Sequence, residues 1–251
     1  MTGLGESADR TVGLAGRVGF VTGASRGIGS ATARALAEEG VRLAVGYRED
    51  KDGAEATSGA CPGSIVVRID VTDAEAVAAA FDEIERTLGP VEILVNNAGL
   101  RRDGLLMRMK DQDWDDVVDT NLTGTFRCSR RALPGMLKGR WGRIVNIGSI
   151  AGSVGNPGQA NYAAAKAGIV GFTKSLAREV ARHGVTANVV LPGLVDTAMT
   201  AGMTLAQREK LVERIPMGRQ GTPEEIAEAV RFCARESYMT GNVVTVDGGI
   251  T

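Results

Sequence analysis

Tyr162 and Lys166 stand four residues apart in an alanine-rich stretch of helical composition, so their side chains share one helix face a single turn apart. That spacing sets a cation beside a phenol. A free tyrosine hydroxyl, with a pKa of about 10, holds its proton too tightly to work well as an acid-base group near neutrality. Bringing it to about 7 would need roughly 4 kcal/mol of preference for phenolate, drawn from nearby positive charge. Lys166 is one source. Ser149 follows a β-branched run, where its hydroxyl could hydrogen-bond a carbonyl oxygen that becomes an alkoxide. Asn121 is a poor helix former inside a helical stretch and could hold a water linking Lys166 to bulk solvent. Taken singly, each has an ordinary explanation, such as a tyrosine on an amphipathic edge or a serine in a turn.

The elements that would position these groups also carry a nucleotide signature. Directly after the run Val18 to Thr22 comes Gly23-Ala24-Ser25-Arg26-Gly27-Ile28-Gly29, leading into a helix. Glycines there let the backbone turn tightly and approach a pyrophosphate seated on the helix N-terminus. The spacing is G-x-x-x-G-x-G, and a lone glycine cluster is equally an ordinary strand-to-helix turn; its place after the first strand favours a dinucleotide. An oxidised nicotinamide ring would then be the second cation for Tyr162. At the end of the second strand, an acidic residue would accept from a ribose 2′-hydroxyl and an arginine would favour a 2′-phosphate. Tyr47 and Arg48 fall there, with Arg26 as a second cation, and the expectation is NADP(H). Glu49 and Asp50 follow at once, so a register shift of one or two residues would reverse it. Asp70-Val71 ends the third strand and Asn96-Asn97-Ala98-Gly99 the fourth, both at carboxyl ends where ligands lie in an open parallel sheet.

Short β-branched runs alternate with longer alanine-rich stretches along the whole chain. The strand candidates are Val18 to Thr22, Val41 to Gly46, Ile65 to Ile69, Val91 to Val95, Arg143 to Ile147, Val185 to Val190 and Val243 to Val246. Helical patterns cover Ile28 to Glu39, Asp73 to Leu88, Trp114 to Leu133, Ala160 to Arg182 and Pro223 to Arg235. Thr72 and Glu75 have the spacing of a capping box, Gly89-Pro90 stops the same helix, and Thr222-Pro223 opens the last one with a cap and an N1 proline. The expected fold class is α/β: a single Rossmann-like, doubly wound, parallel seven-stranded sheet with helices on both faces, spanning residues 16–251. Residues 1–15 read as a flexible leader. The segment Gly193 to Gly221 is the one long, weakly patterned connection, with a helix at Leu205 to Glu213 and an adaptable lid around Met199 and Met203.

A chain of 251 residues, 43% hydrophobic and 24% charged, can bury a sizeable core as one unit. Its net charge of -1 argues against nucleic acid or an anionic membrane as a partner held by bulk electrostatics. Cys61, Cys128 and Cys233 are far apart, which gives neither a disulfide framework nor a zinc site and fits a cytoplasmic location. No apolar run has the length of a spanning helix or of a signal peptide's core. The single histidine, His183, precedes Gly184 at a helix end, and a cation before a C-cap glycine is a structural habit. No histidine or cysteine cluster suggests a metal.

Together, Thr22-Gly23-Ala24-Ser25-Arg26-Gly27-Ile28-Gly29, Asn96-Asn97-Ala98-Gly99, Asn121, Ser149, Tyr162-x-x-x-Lys166 and Pro192-Gly193 resemble the short-chain dehydrogenase/reductase family. The likeness spans Gly16 to Thr251. Leu105-Leu106-Met107-Arg108-Met109-Lys110, Gln159 through Gly168, and the ending Val246-Asp247-Gly248-Gly249 resemble the 3-oxoacyl-(acyl-carrier-protein) reductases of bacterial fatty acid synthesis. That resemblance implies hydride delivery to C3 of a 3-oxoacyl thioester, with Tyr162 as proton donor, Ser149 orienting the oxygen, and Lys166 and Asn121 in a proton relay. It implies cofactor contacts from Gly23 through Arg26, Ile28, Gly29, Tyr47, Arg48, Asp70, Val71, Asn97, Ala98, Gly99, Tyr162, Lys166, Pro192, Gly193 and Val195. It further implies a homotetramer, with the helices that hold Asn121 and Tyr162 forming one interface and the last strand another. In the related enoyl reductases the tyrosine and lysine stand farther apart, so the gap here points to ketone reduction. The family's basic surface for the acidic carrier is matched at Arg140, whereas its second arginine falls on His183, beside Arg182. Two alternatives stand next to this reading: the same chemistry on an acyl-CoA, steroid or sugar, and a catalytically silent NADP(H)-binding sensor.

Overall fold

In a computed structural model, residues 13–197 and 205–251 are described; the expected lid residues Met199 and Met203 and most of the expected leader, residues 1–12, lie outside that range. The strands are β1 (Val18–Val21), β2 (Arg42–Tyr47), β3 (Ile65–Arg68), β4 (Ile93–Asn96), β5 (Gly142–Ile147), β6 (Val185–Pro192) and β7 (Val243–Val246). They form one sheet in the order β3-β2-β1-β4-β5-β6-β7. Every adjacent pair in it is parallel. The expected α/β class is observed.

Side-chain alternation explains the layers, because successive residues of a strand face opposite sides. Phe20, Ala44, Val67, Leu94 and Ile144 meet one apolar cluster, and Val21, Val45, Val95, Val145 and Ile147 meet the other. Helices α3 (Ala74–Thr87), α5 (Gly124–Gly139) and α7 (Ala160–Val180) cover the first face. Helices α1 (Gly27–Glu38), α2 (Lys51–Gly59) and α9 (Pro223–Arg235) contribute to the second. The chain runs outward from β1 to β3, then crosses to β4 and runs the other way. That reversal opens a crevice beyond the carboxyl ends of β1 and β4, where Gly23 and Asn97 follow their strands.

Several expected boundaries need correction. Leu14, assigned to the leader, is 1% exposed in the second cluster, so the packed chain already includes it. The cap of α3 is Asp73, whose carboxylate accepts from the backbone N–H of Glu75 and Ala76, while Thr72 hydrogen-bonds Asp70 instead. Thr222 caps α9 as expected, with Glu225 completing the box. Helix α2 is polar and carries no apolar periodicity, with Ala54 and Thr57 buried and its N-terminus capped by Asp50.

The expected helix Trp114 to Leu133 is a longer, composite rod. Helix α4 (Asp111–Val118) passes into a π-helical turn, Asp119–Thr123, and then into α5. Pro134 does not end α5. The carbonyl it leaves free, on Arg130, belongs to an exposed residue, while Ala132 and Met136 keep the opposite face in the core. Helices α6 (Ala151–Val154) and α8 (Leu205–Val212) are short connectors; α8 lies close to the expected Leu205 to Glu213.

Candidate active site

A cleft of about 1150 Å³ runs along the carboxyl ends of the strands. Of the expected site residues, Gly23, Ser25, Arg26, Ile28, Tyr47, Arg48, Asp70, Val71, Asn97, Ala98, Gly99, Ser149, Tyr162, Lys166, Pro192, Gly193 and Val195 line it. Ala24, Gly29 and Asn121 do not. Ala24 is buried in the second apolar cluster, its N–H held by Gly46 O at 2.7 Å. At Gly29, a Cβ would come within 2.5 Å of Asn97 Nδ2 and 2.9 Å of Ala24 Cα, so this glycine permits the close packing of α1 on the strand ends.

The glycine loop is braced from below. Thr22 Oγ1 accepts from the N–H groups of Asn97 and Ala98 at 3.1 and 3.0 Å, and Asn97 Nδ2 donates to Thr22 O and Gly23 O at 3.0 and 2.9 Å. Ser25 Oγ donates to Asp50 O at 2.7 Å, tying the loop to the start of α2. Gly23 takes φ +64°, and a side chain there would meet Ala98 Cα at 2.9 Å. Backbone thus approaches the cleft without side chains in the way, as a pyrophosphate requires.

β2 ends at Tyr47, one residue beyond the expected Gly46, and Arg48 is the first residue past the strand. The Arg48 guanidinium bonds Glu49 Oε1 at 2.6 Å, and Arg26 lies 3.6 Å from Asp50 Oδ2. Both cations are well exposed at the cleft wall, each beside a carboxylate. Asp70 Oδ1 accepts from Thr72 N and Oγ1 at 2.9 and 2.7 Å. Burial alone would raise that carboxyl's pKa, but the Thr72 hydrogen bonds, with Arg48 and Arg127 nearby, hold it below its ordinary value.

At the other end of the cleft, Lys166 Nζ donates to Ile147 O at 2.8 Å and lies 5.5 Å from the Tyr162 ring centroid. Burial lowers the Lys166 ammonium to about 8. The phenol moves the other way. Burial raises the Tyr162 pKa, against a hydrogen bond with Ser149 and the charge of Arg101 that pull it down, while Asp103 adds to the rise. Lys166 therefore does not by itself bring the phenol toward neutrality, as the sequence reading had it contribute. Ser149 Oγ also accepts from Ala151 N at 3.2 Å.

Asn121 stands behind this wall, fully buried in the π-helical turn. Its Nδ2 donates to Val117 O and Leu100 O, both at 2.8 Å, while its Oδ1 is buried without a partner. From the point where a Cβ of Gly99 would sit, Asn121 Oδ1 is 2.9 Å and Lys166 Nζ 3.8 Å away. The helix widens by one residue where this side chain takes a backbone carbonyl, a local change that apolar periodicity does not encode.

Sequence reasoning passed over other cleft residues. Arg101, Asp103 and Gln159 come from loops without a periodic signal, Arg214 follows α8, and Ile250 and Thr251 fold in from the C-terminus. Asp247 accepts from Gly249 N and from Thr251 N and Oγ1, which bends the tail back.

A family model described as enoyl-(acyl carrier protein) reductase matches residues 23–251. The chain belongs to the short-chain dehydrogenase/reductase family, whose members use nicotinamide cofactors. It is 49% identical over 240 residues to the 3-oxoacyl-(acyl-carrier-protein) reductase FabG of Vibrio cholerae, covering 94% of this chain and 98% of that one. To the proteins of that name from Escherichia coli and Pseudomonas aeruginosa it is 48% and 49% identical, again over 94% of this chain, covering 97% and 98% of theirs. No helix among the described residues is long and apolar enough to cross a membrane.

Proposed function

We propose that residues 16–251 form one catalytic unit that uses NADPH to reduce 3-oxoacyl thioesters on acyl-carrier protein to 3-hydroxyacyl thioesters, a step of fatty acid biosynthesis. The observation that carries this reading is the grouping of Ser149, Tyr162 and Lys166 on one wall of a cleft whose far end is a braced glycine loop. Glycines at 23 and 27 would face the pyrophosphate, and Tyr162 and Lys166 the nicotinamide ribose. When bound, the reduced cofactor supplies a hydride to C3 of the ketone.

The chain's own groups manage the proton. Ser149 donates to the ketone oxygen and orients it. The raised pKa keeps the proton on Tyr162 until that oxygen gains alkoxide character and takes it. Lys166, titrating near 8, carries its charge at neutral pH and stabilises the phenolate left behind. A water beside Gly99, held between Lys166 Nζ and the unpartnered Asn121 Oδ1, would link the lysine to solvent: once the phenolate has drawn a proton by way of Lys166, the water hands one to the lysine and is itself reprotonated from solvent.

Cofactor choice falls to Arg48, with Arg26 behind it, because each can exchange its carboxylate neighbour for a 2′-phosphate. Arg48→Ala should weaken NADPH by about tenfold or more, the worth of a charge-assisted hydrogen bond, and leave NADH within about twofold. Fluorescence titration with both cofactors reads this, and equal losses would reject the assignment.

For the carrier, exposed Arg140 donates to Arg182 O at 3.3 Å, which sets Arg140, Arg182 and His183 on one basic ridge. Arg140→Glu should raise KM for the carrier-bound substrate by about tenfold and spare the CoA analogue. A homotetramer built on the α4, α5 and α7 face and on edge strand β7 would cover Trp114, Phe126 and Val243, which are exposed in the single chain. Because the family model takes its description from enoyl reduction, the deciding experiment measures NADPH oxidation on carrier-bound 3-oxoacyl and 2-enoyl thioesters, CoA esters, steroids and sugars. Turnover confined to the 3-oxoacyl thioesters supports the proposal; turnover of the enoyl thioester alone overturns it.

A further inference from the structure

The cleft holds a charged cluster that the chemistry above does not use. Arg101 Nη2 lies 2.7 Å from Asp103 Oδ2, and Gln159 Nε2 donates to both carboxylate oxygens of Asp103, at 3.2 and 3.1 Å. Gln159 is 7% exposed and its Oε1 accepts from Asn156 Nδ2 at 3.0 Å, so its amide is fixed from both ends. Two further bonds join the same segments: Gly104 N to Gly158 O at 2.8 Å and Asn161 Nδ2 to Arg102 O at 3.0 Å. The loop after β4 is thereby fastened to the residues that open α7, among them its N-cap Gln159, three residues before Tyr162. Asn161 Oδ1 accepts from the Tyr162 N–H at 2.8 Å, which carries the bracing to the tyrosine's own backbone.

We infer that Asp103, clasped between Arg101 and Gln159, is a positioning residue for Tyr162: it locks the β4 loop to the head of α7 and, with Arg101, sets the electrostatic potential at the phenol. Arg101, Asp103, Gln159 and Tyr162 all line one cleft. The charged groups facing the phenol are Arg101 and Asp103 from the loop and Lys166 from its own helix, with Ser149 as a neutral partner from the end of β5. A carboxylate disfavours phenolate and a guanidinium favours it, so the pair leaves a small net field that loss of either member unbalances. The tendencies at Tyr162 have those signs. The role rests on Tyr162 being the proton donor.

Opposite variants provide the test. Asp103→Asn keeps shape while removing the negative charge, and Arg101→Gln removes the positive one. The apparent pKa of Tyr162 is read twice: from the rising limb of kcat against pH for oxidation of a 3-hydroxyacyl thioester by NADP+, and from phenolate absorbance of the NADP+-bound protein against Tyr162→Phe. Asp103→Asn should lower it and Arg101→Gln raise it, each by about half a unit, with the double variant near the parent value. Gln159→Leu, which removes the amide that holds Asp103, should lower kcat without changing NADP+ affinity. Shifts of the same sign, or no shift with lowered activity at every pH, would mean a merely structural clasp and overturn the inference. Absorbance shifts of opposite sign in a protein that turns over no thioester would leave the clasp standing and remove the proposed substrate.

Discussion

Tyr162→Phe is expected to cut reduction of a 3-oxoacyl thioester by about a thousandfold, within the range that a positioned general acid supplies. The ring is retained, so packing on α7 changes little. Ser149 is not orphaned, because its oxygen also accepts from Ala151 N. Dinucleotide affinity should therefore stay within about threefold, since the loss falls on a step made in the transition state and not on ground-state binding. Steady-state turnover beside a cofactor titration separates the two. A loss under about tenfold would assign the proton to another group, and equal losses in turnover and binding would move Tyr162 from chemistry to cofactor recognition.

Lys166→Met should abolish turnover to a similar degree while the protein becomes no less stable near pH 7. Lys166 is 4% exposed, and burial brings its ammonium from the ordinary 10.5 to about 8. Between those values the unfolded chain binds a proton that the native state does not, so stability rises with pH through this window. At neutral pH the native protein carries a buried charge whose desolvation costs about 3 kcal/mol, an order-of-magnitude figure from the shift. Methionine removes that cost but leaves Ile147 O without its donor, which offsets about 1 kcal/mol or more. Denaturant unfolding at pH 7 and pH 10 provides the check. The variant should match or exceed the parent at pH 7, and the parent should gain on it by pH 10. A parent whose advantage shrinks over that interval would show that the lysine is not held below its ordinary pKa.

Both variants also bear on the sensor alternative, since a protein that only binds the dinucleotide would have no turnover for either to remove. The field at the phenol has a mechanistic consequence. With a pKa above the ordinary value, Tyr162 is a reluctant acid that yields its proton when the substrate oxygen becomes strongly basic. An oxidised nicotinamide ring, when bound, would add a second positive charge beside the phenolate that Lys166 stabilises.

Much of this was legible along the chain. Alternating β-branched and alanine-rich segments, with a glycine loop after the first and Asn97 after the fourth, required a parallel sheet with a crevice at its reversal. The Tyr162 to Lys166 spacing is a local helical fact, and Arg48 at the end of β2 followed from counting. Such features are short-range, so composition and periodicity carry them.

What the chain order could not supply was decided by packing. Asn121 lies behind the cleft because a π-helical turn widens the α4–α5 rod there, and Gly29 proved to be a spacer because α1 presses against the loop. Burial is the largest influence raising the Tyr162 pKa, and desolvation is a property of the assembled interior. Asp103 and Gln159 are 56 residues apart in sequence and share hydrogen bonds once β4 and α7 have docked. Sequence by itself thus determined the architecture and brought forward most of the residues that line the cleft, which depend on local spacing. The tertiary structure decided their protonation and bracing, because these depend on which distant atoms exclude water around them.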